Sequence, residues 1–229
     1  MAKAALRSSA TILALVFAAL SINGLRAQDA FSPAEQLLFL SDHLSNVSQS
    51  SVISYSYSKL GTLDPAAQGS VSLVVSSMPE GEGKHAHVDF LTGSRKFELP
   101  DIDNATANPI ILYFLERDVR DMQRRTGGQA SYFRKRVRIA LAEAAEVQPI
   151  QFDFQGRSVS GPRISIHPFT EDPLKSRFAQ LADKSYVFTL SPDVPGQLYR
   201  MQTQVRPPQG QVDAPPLLEE SITLTGAQP

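Results

Sequence analysis

Serine alternates with bulky apolar residues along "SVISYSYSKL" (51–60), and the same beat returns in "GSVSLVVSS" (69–77) and "HAHVDF" (85–90). Side chains on a strand point to opposite faces with period two. These segments therefore read as strands with one dry face and one wet face. The dry sets are Ile53, Tyr55 and Tyr57, then Val71, Leu73 and Val75, then Ala86, Val88 and Phe90. "KFELP" (96–100) extends the pattern with Phe97 and Leu99. Four short strands joined by polar turns predict an antiparallel meander.

The same alternation decides the reading of His85, His87 and Asp89, whose spacing could present three metal ligands on one face. They share the wet side of the strand, and neither of the other histidines, His43 and His167, sits in a ligand motif. A zinc site needs further ligands from elsewhere, so a solvated strand face is expected and no metal. Asp101 and Asp103 open like a calcium loop, but Ala105, Thr106 and Leu112 stand where ligands and a glycine are needed. The chain has no cysteine, which excludes thiol catalysis, thiolate zinc sites and covalent haem attachment. No P-loop or G-x-G-x-x-G is present, and no cofactor is expected.

Helical spacing marks the remaining elements. Ser32, Pro33 and Glu35 form a capping box ahead of Leu37, Leu40, Leu44 and Val47, predicting a helix to about Asn46. Asn108 and Pro109 open a second helix with Leu112, Leu115, Val119 and Met122 inward, stopped by Gly127-Gly128. Ser131 is the expected cap of a third, with Phe133, Val137, Leu141 and Ala144 inward. Strands return with Ile150, Phe152 and Phe154, then Ile164 and Ile166. A short helix follows with Leu174, Phe178 and Leu181 inward. A hairpin then runs through Tyr186, Phe188 and Leu190, turns at Pro195-Gly196, and returns through Tyr199, Met201 and Thr203. Residues 206–216 read as a proline-rich extended segment, and 217–229 as a last edge strand or a tail.

The first 27 residues carry Lys3 and Arg7, an apolar run from Thr11 to Ile22, and then a polar break. That run is shorter than the roughly 20 residues a span requires and fits the core of a secretory signal peptide. Cleavage after Ala27 is the expectation. Three of the 22 basic residues lie in this segment, leaving 19 against 23 acids in residues 28–229, a net charge near −4. An acidic exported domain is a poor nucleic-acid binder. Residues 28–229 read as a single exported α+β domain, periplasmic in location.

Two motifs suggest chemistry. Ser56-Tyr57-Ser58-Lys59 matches the S-x-x-K nucleophile pattern, but on a strand Ser56 and Lys59 point to opposite faces. "FRKRVR" places Arg134, Lys135, Arg136 and Arg138 near the start of the third helix, with no acid within four residues on either side. Cations in a first helical turn oppose the dipole. An anion, a lipid headgroup or an acidic partner would relieve that cost. Arg134, Lys135 and Arg138 should project away from the apolar stripe, with Arg136 on its flank.

The order of elements, running through "QGRSVSGPRISIHPF" to "VFTLSPDVPGQLYRMQTQV", resembles exported bacterial proteins of unassigned function. More distantly, it is similar to the periplasmic lipoprotein-carrier fold. That resemblance implies a curved, half-barrel-like antiparallel sheet wrapped against amphipathic helices, with an apolar site for a lipid or lipoprotein acyl chain in its concave face. The expected function is non-enzymatic binding of such a ligand. One alternative is an envelope protein docking through its basic helix face on an anionic membrane or an acidic protein. Another is a hydrolase using His85 or His87.

Overall fold

The computed structural model describes residues 31–48, 50–78, 83–207 and 214–229. The expected signal peptide, most of the turn before Lys84 and the middle of the proline-rich segment lie outside the described residues.

The elements are α1 (Pro33–Glu35), β1 (Ser51–Leu60), β2 (Ala67–Ser77), β3 (Lys84–Phe90), α2 (Ile110–Thr126) and α3 (Ala130–Glu143). Five strands follow: β4 (Glu146–Phe154), β5 (Arg157–Ile166), β6 (Ser185–Leu190), β7 (Leu198–Val205) and β8 (Leu218–Gln228). All eight strands form one antiparallel sheet in the order β3-β2-β1-β8-β7-β6-β5-β4. The fold is α+β: an open, curved sheet with helices covering one face, as the alternation and the helical stripes together predict.

Register carries the alternation across the sheet. Tyr55 lies opposite Val71, and Val71 opposite Phe90; Ile53, Leu73 and Val88 form the next row. All six are buried. A one-residue slip would turn every one of them to solvent. Helix α2 seals this face, with Tyr113 stacked on Phe90 at 5.8 Å between ring centres.

Several expectations need correction. Leu218–Gln228 is neither an edge strand nor a tail, because it lies in the middle of the sheet between β1 and β7. The segment around Phe97 and Leu99 does not become a fourth strand of the meander. It touches β3 only through the single bridge Phe90–Phe97, after which Tyr113 Oη accepts from the Leu99 N–H (3.2 Å) and donates to its carbonyl (2.7 Å). Pro100, which follows directly, has no N–H to extend a ladder.

The N-terminal helix is shorter than its periodicity suggests. The capping box is formed, with Ser32 Oγ accepting from the Glu35 N–H at 3.1 Å and Glu35 from the Ser32 N–H at 2.9 Å. Past Glu35 the chain widens into one π-turn over Gln36–Leu40, then breaks at Ser41. The wider turn rotates the following residues out of 3.6-residue phase. Leu38 is therefore buried and Leu40 exposed. On α2, Leu112 is exposed where an inward position was expected, while Ile110, Ile111 and Phe114 are buried. Helix α3 starts two residues early, at Ala130 with Gln129 as its cap position and no side-chain cap, and ends before Ala144. Its Phe133, Val137 and Leu141 are buried as predicted. The short helix after Leu174 is two 3₁₀ turns, Lys175–Arg177 and Ala179–Asp183, with Phe178 and Leu181 inward and Leu174 exposed.

The β4–β5 hairpin leaves the plane of the sheet. Only Arg163–Ile166 of β5 pair with β6. At the departure point a Cβ on Gly161 would lie 1.9 Å from the Leu190 carbonyl oxygen, so the close approach requires glycine. The hairpin folds toward the uncovered face, where Phe152 stacks on Tyr199 at 4.2 Å. Gln155 Nε2 there donates to the Thr225 carbonyl (3.2 Å). Tyr199 thus belongs to this outer cluster and not to the inward set of β7, because a bulge opposite Thr189–Leu190 shifts the register at that point.

Candidate functional site

The helix-covered face of the sheet is filled. Phe90, Tyr55, Phe188 and Ile222 are inaccessible there, and α2 lies over them. An apolar hollow of the described residues lies instead on the outer side of the helix pair. Helices α2 and α3 are joined by Gly127-Gly128-Gln129, with Gly127 in the left-handed region (φ 69°) that ends α2. Leu115 and Val119 from α2, Val137 and Leu141 from α3, Phe39 from the π-turn and Leu99 from the segment before α2 line a groove of about 520 Å³. A second hollow of about 400 Å³ shares Phe39 and Leu112 with it and continues to Ile102 and Ala105.

The rim of the groove is charged. It carries Glu116, Arg134 and Arg138. Arg134 forms a two-pronged pair with Glu116, Nε and Nη2 both at 2.7 Å. Such forked pairs fix geometry. Of the four basic residues singled out in the sequence, Arg134, Lys135 and Arg138 are exposed, and only Arg134 and Arg138 border the groove. Arg136 turns the other way, pairing with Asp172 at 2.7 Å and donating to the Pro168 carbonyl. The acid-free window in the sequence thus gains two counter-charges from afar. Lys135 and Arg138 form no ion pair among the described residues.

A buried polar layer fastens the floor of this site. Asp118, on the sheet side of α2, pairs with Lys184 and accepts from the Tyr186 hydroxyl, and all three are buried. One residue earlier, Arg117 pairs with Glu220 of β8 and lies over the Tyr57 ring. Lys59 reaches Glu220 at 3.1 Å. Burial alone would raise the Glu220 carboxyl, but Arg117 and Lys59 hold it below its ordinary range. The pairs orient α2 on the sheet and leave its apolar Leu112, Leu115 and Val119 for the groove.

The histidine triad lies on the exposed side of β3, while Ala86, Val88 and Phe90 are buried, as the alternation requires. What the sequence does not show is its partners. His85 Nδ1 is 2.7 Å from Asp103, and His87 Nδ1 is 2.7 Å from Asp101. Between them the Ala86 and Ile102 backbones exchange hydrogen bonds of 2.9 and 3.0 Å. Together these contacts clasp residues 101–103 to β3, next to the second hollow. Among the described residues no group of His, Cys, Asp or Glu has the arrangement to hold a metal ion. Ser56 and Lys59 stay apart: Ser56 donates to the Thr223 carbonyl on the exposed face, whereas Lys59 pairs with Glu220 on the covered one.

The clasp tightens as pH falls and loosens as pH rises. Donating a hydrogen bond to the Asp103 carboxylate raises the pKa of His85 above the ordinary 6.5, and donating to Asp101 does the same for His87. Asp101 is lowered from 3.8, first by His87. The histidine contribution is therefore complete below about 6.5 and lost as pH rises through the raised values. Hydrogen exchange, corrected for intrinsic rates, should find the Ala86 and Ile102 amides less protected at pH 8.5 than at pH 5.5. The double variant H85A/H87A should lack that difference. Equal protection of the native protein at both pH values would show that the imidazoles do not hold the loop.

No known protein-family profile matches the chain, and no curated protein matches it. Among solved structures it is similar to the lipoprotein LppX of Mycobacterium tuberculosis, at 10% identity and a TM-score of 0.31. That match covers 76% of this chain and 84% of LppX. It is also similar to LprF from Mycobacterium bovis, at 15% identity and a TM-score of 0.30, covering 85% of this chain and 93% of LprF. Likeness at this level carries no argument about activity. Among the described residues no helix is long and apolar enough to cross a membrane.

Proposed function

We propose that this protein is a non-enzymatic, exported envelope protein that binds a single-chain amphiphile with an anionic head. The ligand occupies the groove between α2 and α3 and not, as the sequence suggested, the concave face of the sheet. The observation that carries the reading is an apolar trough with a cation on its rim, Arg138, that has no ion-pair partner among the described residues. The volume of about 520 Å³ lies in the range of small-molecule sites, roughly 300–1,000 Å³.

The energetics are consistent with such a ligand. Each buried methylene stabilises by about 0.8 kcal/mol, so about ten give roughly 8 kcal/mol before the cost of ordering the chain. Micromolar affinity corresponds to about 8.2 kcal/mol. Apolar burial alone falls short once ordering is subtracted, and a charge-assisted contact from Arg138 supplies part of the difference.

Calorimetric titration with a long-chain fatty acid, and with the alcohol of equal length, tests this. The acid should bind saturably at one site and more tightly than the alcohol. Leu112→Asp, at an exposed position where folding is tolerant, should weaken both ligands at least about tenfold by placing a charge in the apolar wall. Arg138→Ala should erase the preference for the acid and leave the alcohol unchanged. Absence of saturable binding by either ligand would overturn the reading. The hydrolase alternative gains no support, since His85 and His87 hydrogen-bond to carboxylates and not to a hydroxyl.

A further inference from the structure

Two arginines one helical turn apart on α3, Arg134 and Arg138, border the groove, and Glu116 borders it on α2. A pair of free guanidiniums at that spacing would suit a doubly charged phosphate head, because each can bind oxygens through its fork. They are not both free. Glu116 accepts from Nε and Nη2 of Arg134 at 2.7 Å each, which fills that fork. It also accepts from Nε of Arg120 at 3.2 Å, while the Arg120 guanidinium lies over the Phe97 ring, 4.7 Å from its centre. The Glu116 side chain is 17% exposed, against 52% for Arg134. Its hydrogen bonds from Arg134 outweigh burial and hold the carboxyl below its ordinary 4.5. Glu116 is the only acid that lines the groove among the described residues.

We propose that Glu116 sets the charge of the head that the groove accepts, admitting a single negative charge at Arg138 and disfavouring a phosphate dianion. The inference rests on the groove reading and deepens it by naming the head class: a carboxylate, sulfate or sulfonate, and not a phosphate monoester. A fixed carboxylate repels each further unit of negative charge placed beside it, and in a partly desolvated apolar site that repulsion is weakly screened. A monoanion still gains, since Arg138 has no ion-pair partner among the described residues. If the pair of Glu116 with Arg134 served only to fasten α3 to α2, the choice between one charge and two would not depend on Glu116.

The test is calorimetric titration with decyl phosphate and decyl sulfate, below micelle formation, at pH 5 and pH 8. The second proton of a phosphate monoester leaves at about pH 6, so decyl phosphate passes from one charge to two while decyl sulfate keeps one. In the native protein the affinity for the phosphate relative to the sulfate should fall about tenfold or more between the two pH values. The sulfate corrects for titration of the protein itself, including that of the clasp on His85 and His87. In Glu116→Gln, which keeps the shape and removes the charge, the ratio should stay level or rise, because the Arg134 fork is then free to join Arg138. A native ratio that does not change with pH overturns the proposal, as does an equal fall in E116Q. Either result leaves the groove reading standing if decyl sulfate binds saturably. Absence of saturable binding by both ligands overturns the groove reading, and the head-charge proposal falls with it. Should E116Q fail to fold by circular dichroism, Arg134→Gln decides instead. It leaves Glu116 without its two-pronged partner and should steepen the fall with pH, and an unchanged or shallower fall overturns the proposal.

Discussion

Replacing Asp118 by alanine should destabilise the protein by about 3–5 kcal/mol, a large part of what holds a domain of this size together. The carboxylate sits between Lys184 and Tyr186, and the three side chains are almost completely withdrawn from water. Alanine removes the only ion-pair partner that Lys184 has among the described residues and leaves the Tyr186 hydroxyl without its acceptor. Burial, and then the adjacent Asp118 carboxylate, push that hydroxyl well above its ordinary pKa, so it cannot relieve the loss by ionising. The cost is that of stranded polar groups and not the worth of the pair itself. The double variant D118L/K184M should consequently recover much of the stability, because apolar side chains of similar size need no partners. Chemical denaturation of the native protein and both variants decides the matter. A loss below about 1 kcal/mol in D118A would mean that the Lys184 ammonium reaches water when its partner is removed.

This buried layer also shows where reading the sequence succeeds and where it cannot. Strands β1 to β3 were legible because polar and apolar residues alternate across their cores, with Val74 of β2 an apolar residue on the wet side. Helices α2 and α3 were legible from spacing and from the Gly127-Gly128 stop. Their outward faces were less so. Leu112 was assigned inward because it is apolar, yet it faces the groove, and apolar character alone does not distinguish a core position from the wall of a site. The basic cluster was read from local charge, and its partners Glu116 and Asp172 lie 18 and 36 residues away from Arg134 and Arg136. Pairing at that range is a property of the fold. The same holds for the clasp on His85 and His87. The wet face was predictable from period two, but nothing local says that Asp101 and Asp103 return to meet it.

Deleting Leu217–Pro229 should abolish cooperative folding, although the sequence alone makes this segment look dispensable. The reason for the misreading is Glu220. Its place among the inward positions Leu218, Ile222 and Leu224 interrupts the apolar alternation with a charge, and only the structure shows Arg117 and Lys59 waiting for it. Strand β8 pairs with β1 from Val52 to Leu60 and with β7 from Arg200 to Val205. Its loss divides the sheet into a three-stranded and a four-stranded piece and bares Tyr57, Met201 and Val205. It also strands Arg117, and with it the fastening of α2 beneath the groove. Burial of Leu218, Ile222 and Leu224 contributes roughly 1.5–3 kcal/mol each, before the two ladders and the ion pairs are considered. Together these approach or exceed the stability of an ordinary domain. Deletion of Gln228 and Pro229 alone, at the exposed end of the strand, should change stability by no more than about 0.5 kcal/mol. Near-ultraviolet circular dichroism and thermal melting of the two truncated proteins separate the outcomes. A sharp transition in the longer deletion would show that β1 and β7 can close on each other directly, and that β8 is not what joins the halves of the sheet.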